Sequence, residues 1–104
     1  MRKIFLALTF STLLAGCGQA EEVTIKIENF TFNPASITIK PGTTVTWING
    51  DDIPHSVVEN NKVFKSPPLD TGQKFSMVLT TAGEVDYFCG FHNHMTGKVI
   101  VQPE

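Results

Sequence analysis

Residues 83–101, GEVDYFCGFHNHMTGKVIV, contain the pattern that decides the fold. Apolar side chains stand at every second position on both sides of the central CGFHNHM segment, which is the spacing of a β-strand with one buried face. The stretch therefore predicts a strand that ends with Cys89 facing inward, a short loop, and a last strand that begins at Thr96.

The same alternation recurs in the preceding part of the chain. Turn residues, such as the Pro-Gly pair at 41–42 and the Asn-Gly pair at 49–50, separate the runs about every ten positions. Residues 60–70, with two consecutive prolines, are predicted to form a loop. The pattern predicts an all-β, antiparallel sandwich of about seven or eight strands. The alternating runs are 23–27, 37–39, 44–49, 75–79, 85–89 and 99–101.

The N-terminal residues are predicted to be a signal peptide. Two cationic residues precede an apolar run over 4–15, and this run is too short to cross a hydrocarbon core of about 30 Å as a helix. The sequence Leu14-Ala15-Gly16-Cys17 resembles the cleavage motif of bacterial lipoproteins. We therefore expect residues 1–16 to be removed and Cys17 to be lipidated.

This interpretation divides the chain into three parts. After the signal peptide, residues 17–22 form a lipidated N-terminus and short tether, and residues 23–104 form the single domain. A diacylglycerol with a further acyl chain gives stable attachment to a membrane, so the protein is expected on the periplasmic side, anchored through Cys17. The alternative is ordinary cleavage after Ala20, which would yield a soluble exported protein.

Composition excludes several classes of protein. The chain has 104 residues, which is enough for one domain. Two cysteines exclude a multi-disulfide scaffold and a four-thiolate metal site. The formal charge of −2 offers no bulk attraction for nucleic acid.

The segment between the last two predicted strands concentrates potential metal ligands. Cys89, His92 and Met95 follow one another at intervals of three, and His55 lies just after the predicted strand that contains Trp47. Two imidazoles and a thiolate in a plane, with a distant thioether, form the type of site that binds copper in both oxidation states. Zinc would fit three of these ligands, but a catalytic zinc site also needs an open position and a general base, and no acid is adjacent to this loop.

Several segments resemble the cupredoxin family, and within it the amicyanins. They are IKPGTTVTWIN at 39–49, the Pro-His pair at 54–55, EVDYFC at 84–89 and GKVIV at 97–101. The resemblance implies a Greek-key sandwich that holds one type 1 copper ion. His55, Cys89 and His92 would form the trigonal plane, and Met95 would be the axial ligand. It also implies a monomeric one-electron carrier, not an enzyme, that meets its redox partners transiently.

The sequence departs from the family pattern beside three ligands. Ser56 stands where cupredoxins commonly have asparagine, so its hydroxyl is expected to join the two ligand loops more loosely or through water. Phe91 replaces a proline, so its N–H is expected to donate to the Cys89 sulfur and raise the reduction potential. His94 is expected to be an exposed loop residue, the alternative being that it competes as a ligand. Candidates for supporting the ligands or contacting partners are therefore Asn49, Ser56, Phe91 and His94.

Two other functions remain open from the residues. A copper-handling protein that stores copper or delivers it to an exported oxidase could use the same ligands, although the chain lacks the methionine- or histidine-rich tracts expected for that role. An extracellular metal-dependent hydrolase is disfavoured by the closed ligand set and the absence of an adjacent base.

Overall fold

The computed structural model describes residues 21–103. The predicted signal peptide, Cys17 and most of the predicted tether lie outside this part of the chain. Within it, no helix is long and apolar enough to cross a membrane. The described residues form eight strands: β1 Glu22–Glu28, β2 Thr31–Asn33, β3 Ser36–Ile39, β4 Thr43–Asn49, β5 Val58–Glu59, β6 Lys74–Leu79, β7 Gly83–Cys89 and β8 His92–Val101.

The strands form two four-stranded sheets, in the orders β2-β1-β4-β6 and β3-β8-β7-β5. This confirms the all-β sandwich. The pairings β1–β4 and β3–β8 are parallel, however, so both sheets are mixed and the expectation of purely antiparallel pairing was too simple. Alternation tells which side chains face inward, but it carries no information about the direction of a neighbouring strand.

The core lies between the sheets and is built from the predicted alternating positions. Trp47 on β4 and Tyr87 on β7 are its largest fully buried side chains, and their rings meet edge to face with centroids 5.3 Å apart. This geometry is the preferred one for aromatic pairs. The buried aliphatic residues around them include Ile25, Ile27, Val45, Val99 and Val101.

The connection between β7 and β8 differs from the predicted loop. β8 begins at His92, because Cys89 pairs with His92, whereas one position earlier Phe88 pairs with Thr96. Residues 93–95 therefore form a bulge inside β8 instead of a loop before it. Apolar alternation did not predict that β8 begins at His92, because residues 92–94 are polar although they belong to this strand. Bulges redirect side chains next to functional sites.

Candidate metal centre

Three potential ligands converge at one end of the sandwich. His55 comes from the connection between β4 and β5, Cys89 ends β7, and His92 begins β8. Their donor atoms all lie within 4.8 Å of one another. Cys89 Sγ is 3.6 Å from His55 Nδ1 and 3.7 Å from His92 Nδ1. His55 and Cys89 are fully buried, and His92 is half-buried.

Met95 is buried at the end of the bulge in β8. Its side chain is 5% exposed and belongs to the same hydrophobic cluster as Cys89. A regular strand from His92 would have continued the pairing with β7, but the bulge gives residues 93–95 no partner in that ladder. The structure thus buries the side chain of Met95 on the same β7–β8 hairpin that carries Cys89 and His92.

Ser56 connects the two ligand-bearing segments directly. The backbone N–H of Ser56 donates to Cys89 Sγ at 3.4 Å, and the N–H of Gly90 donates to Ser56 Oγ at 2.9 Å. The expectation of a looser or water-mediated connection was therefore wrong, because the loops approach closely enough for the short hydroxyl. A Cβ atom on Gly90 would lie 2.7 Å from Ser56 Oγ, so glycine permits this approach.

The expected N–H donation from Phe91 to the sulfur is absent. Among residues 21–103, the backbone N–H that bonds to Cys89 Sγ is that of Ser56. Phe91 instead occupies the tight turn between β7 and β8, and its side chain is 53% exposed. His94 is also exposed, in the bulge, and its ring is not part of the three-donor cluster.

Asn49 shapes the loop that carries His55. Its buried side-chain amide donates to the carbonyl oxygens of Ile53 and Leu69, both at 2.8 Å, and its Oδ1 accepts the N–H of Asp51 at 2.8 Å. His55 and Leu69 also exchange two backbone hydrogen bonds. Asn49 therefore holds the 49–55 loop, and with it His55, at a fixed distance from the end of β4.

Asp51 is a site residue that the sequence did not reveal. Its Oδ2 lies 2.9 Å from Nε2 of His55, on the opposite side of the ring from Cys89. The same carboxylate accepts the backbone N–H groups of Asn29 at 2.7 Å and Phe30 at 2.9 Å. Burial raises the pKa of Asp51, but the hydrogen bonds that it accepts outweigh this effect, so its pKa lies below the ordinary value.

Phe30 covers both imidazoles from the turn between β1 and β2. Its ring meets those of His55 and His92 edge to face, with centroids 5.4 and 5.2 Å apart. The side chain is itself 51% exposed. No local sequence signal links residue 30 to this site, because the contact is made only when β1 pairs with β4.

The sequence profile described as "Cupredoxin-like domain" matches residues 3–101. The chain belongs to the cupredoxin family. This cupredoxin is similar to the amicyanin of Paracoccus versutus, with 35% identity over 88 residues that cover 80% of this chain and 67% of the relative. It therefore spans about two thirds of the length of that amicyanin, and 65% of the amicyanin of Paracoccus denitrificans, to which it is 34% identical.

Solved structures share the architecture. A reduced proline-to-phenylalanine variant of amicyanin superposes with a TM-score of 0.74 at 34% identity, covering 78% of this cupredoxin and 82% of that chain. A purple cupredoxin from Nitrosopumilus maritimus gives 0.73 at 35% identity, with 77% and 99% covered. A copper-containing nitrite reductase from Thermus scotoductus gives 0.76 at 26% identity, with 83% of this chain but only 23% of that enzyme covered.

The donor set fits the single type 1 copper ion of the family. At the bond lengths that zinc shows, about 2.0 Å to nitrogen and about 2.3 Å to sulfur, two ligands separated by about 120° lie about 3.7 Å from each other. The observed separations between Cys89 Sγ and the two Nδ1 atoms are 3.6 and 3.7 Å. One thiol and two imidazoles suit copper in both oxidation states. The cupredoxin therefore has a site of the right size and chemistry for this cofactor.

Proposed function

We propose that this cupredoxin is an exported one-electron carrier whose copper would be held by His55, Cys89, His92 and Met95. The observation that carries the proposal is the convergence of two Nδ1 atoms on one buried sulfur, 3.6 and 3.7 Å away. The bound copper would supply the reversible change between Cu(I) and Cu(II).

The surrounding residues favour electron transfer over chemistry on a substrate. The hydrogen bond from Ser56 N–H to Cys89 Sγ stabilises negative charge on the sulfur. His55 and Cys89 are fully buried, so water has little access to these two ligands. Ligands already held in place by hydrogen bonds move little when the charge changes, and a small rearrangement makes electron transfer fast. We therefore propose a carrier and not an enzyme.

The half-buried edge of His92 is the proposed exit for the electron. The exposed side chains of Pro54, Phe91 and His94 and the half-buried Ile53 belong to the segments that carry the histidines, and they are the proposed docking residues. A small apolar contact of this kind suits brief encounters with larger redox proteins. The partners would be exported or membrane-bound, and the carrier itself a monomer.

Voltammetry of the copper-loaded protein tests the carrier function. We expect one reversible one-electron wave and rapid electron exchange with a small soluble redox dye. A protein that stores or delivers copper would instead give up its metal quickly to a competing Cu(I) chelator. Rapid loss of copper together with an irreversible wave would contradict the proposal and favour that alternative.

The location is proposed from the N-terminal sequence. Residues 1–16 would be cleaved as a signal peptide, and lipid on Cys17 would anchor the domain on the periplasmic side of a membrane. Expression of the full chain in a bacterium tests this, with Cys17→Ala as the variant. We expect the wild-type protein in the membrane fraction and the variant in the soluble fraction. A wild-type protein that is fully soluble would contradict lipidation.

A further inference from the structure

We propose that Asp51 is a positioning residue of the copper site, which orients His55 and holds Phe30 over both imidazoles. This inference rests on the proposed function, because it concerns the same ligands. Its carboxylate joins two parts of the chain: it contacts the imidazole of His55 in its own loop and accepts two N–H groups from the turn between β1 and β2.

The first step concerns the protonation of the two nitrogens of His55. Because the oxygen of a carboxylate accepts hydrogen bonds, the 2.9 Å contact with Asp51 Oδ2 favours the tautomer of His55 that has its proton on Nε2. The lone pair is then on Nδ1, the nitrogen that lies 3.6 Å from Cys89 Sγ. A metal needs this tautomer, and a carboxylate partner also makes the imidazole a stronger donor.

The second step concerns the turn that carries Phe30. Asn29 and Phe30 have positive φ angles of 52° and 59°, a conformation that residues other than glycine adopt less readily. Both backbone N–H groups point to the carboxylate of Asp51, at 2.7 and 2.9 Å. Hydrogen bonds to a charged acceptor are stronger than neutral ones, so they stabilise this turn. The same turn brings the Phe30 ring against His55 and His92.

The neighbouring residue provides a matched control. Asp52 carries the same charge one position away, but it is exposed, whereas the Asp51 side chain is 14% exposed. Asp52→Asn removes the same formal charge beside the site, but solvent screens an exposed charge more strongly, so the His55 tautomer is the readout that separates orientation from charge. An effect of orientation would belong to Asp51 alone.

The experiment compares wild-type protein with Asp51→Ala, Asp51→Asn and Asp52→Asn. We expect Asp51→Ala to weaken Cu(II) binding about 10- to 100-fold, the range typical for partners of ligand histidines. With Cu(I) binding unchanged, each tenfold loss raises the reduction potential by about 59 mV. Asp51→Asn, which keeps the shape of the side chain if the alanine variant does not fold, should also bind Cu(II) less tightly than Asp52→Asn does.

A second measurement needs no metal. In nitrogen-15 NMR of the metal-free protein, we expect His55 to carry its proton on Nε2 in the wild type and in Asp52→Asn. Asp51→Ala should show a mixture of tautomers. Equal Cu(II) affinity in the Asp51 and Asp52 variants, with the same His55 tautomer in all, would overturn the inference. A wild-type protein with the expected tautomer but no reversible copper redox would leave the role of Asp51 in orienting His55 supported, and would instead contradict the carrier function.

Discussion

Ser56 illustrates how single atoms fix the relation between the ligand segments. Its backbone N–H bonds to Cys89 Sγ and its hydroxyl accepts the N–H of Gly90. Replacing Ser56 by alanine thus removes the hydroxyl but keeps the backbone N–H and its hydrogen bond to the sulfur. The two contributions can therefore be separated by experiment.

Ser56→Ala should lower the free energy of unfolding of the metal-free protein by about 0.5–1.5 kcal/mol. The N–H of Gly90 would lose its hydrogen bond to Ser56 Oγ, and because Gly90 is exposed the cost is the net contribution of an ordinary hydrogen bond. Urea unfolding measures the change. Ser36→Ala, at an exposed position on β3, is the control and should change stability by less than about 0.5 kcal/mol. Equal stability of the two variants would show that the hydroxyl does not join the loops.

Tyr87 should titrate far above the usual range for a phenol. Burial raises its pKa to about 12, and neighbouring Trp47 offsets only part of this shift. It is the single tyrosine of the chain, so phenolate absorbance reports on it alone. We expect no titration at pH 10 in the folded protein and a midpoint near pH 10 in urea.

The same shift predicts how stability depends on alkaline pH. Because the unfolded phenol loses its proton near pH 10 and the folded one only near pH 12, stability should be unaffected by this group below pH 10. It should then fall between pH 10 and 12 by roughly 3 kcal/mol. Tyr87→Phe should flatten this part of the stability profile. A folded phenol that titrates near pH 10 would contradict the burial.

At the scale of elements, the β7–β8 hairpin depends on the contact between Tyr87 and Gly97. These residues are directly opposite in the register of the two strands. The phenol ring lies across the glycine, so that a Cβ atom at position 97 would overlap its hydroxyl oxygen. An aromatic ring over a strand glycine is a recognised way of stabilising a sheet.

Gly97→Ala should therefore destabilise the domain, although alanine normally suits a strand better than glycine. We expect a loss of about 1–3 kcal/mol, the usual cost of overpacking a rigid neighbour. Thermal unfolding checks this, with Thr96→Ala as the control on the adjacent, exposed position of β8. A Gly97→Ala protein as stable as the control would show that Tyr87 can move aside.

The strands that were predicted and those that were missed differ in a physical way. Alternation indicated β1, β3, β4, β6, β7 and the C-terminal part of β8, because each buries one face. It did not indicate β2 or β5, which have three and two residues, since so short a run cannot show a period. The parallel pairings depend on contacts between distant segments, so they have no local signature.

The residues of the candidate site also divide into those that the local sequence predicts and those that it does not. The spacing of Cys89, His92 and Met95 within one hairpin is local, so the sequence contained it, and His55 could be added because it follows the end of a predicted strand. The contact of Phe30 with the histidines and the bonds that Asp51 accepts from Asn29 and Phe30 could not be predicted, since they arise where the β1–β2 turn meets the 49–55 loop. Only the pairing of β1 with β4 brings those segments together.

For the whole molecule, copper would connect the two sheets. His55 follows β4 of the first sheet, whereas Cys89 and His92 belong to β7 and β8 of the second. A metal that binds only the folded protein stabilises it by mass action, by about 2.7 kcal/mol at a hundredfold excess over Kd. Small domains have limited cores, so this contribution would be a large part of the total free energy of unfolding.

Copper should therefore raise the unfolding temperature of the wild-type protein clearly. Cys89→Ala removes the thiolate while leaving a small apolar side chain in the buried position, and its unfolding temperature should respond little to copper. Differential scanning calorimetry with and without one equivalent of the metal makes the comparison. The same upward shift in both proteins would indicate that copper binds elsewhere.

The central claim is that His55, Cys89, His92 and Met95 bind one type 1 copper ion, and a Cu(II) titration followed by optical absorption tests it most directly. We expect an intense band at about 600 nm from charge transfer between the thiolate and copper, saturating at one equivalent, bleached by a reductant and restored by reoxidation. The band should be absent in Cys89→Ser. A colourless, redox-inert Cu(II) complex of the wild-type protein would contradict the claim.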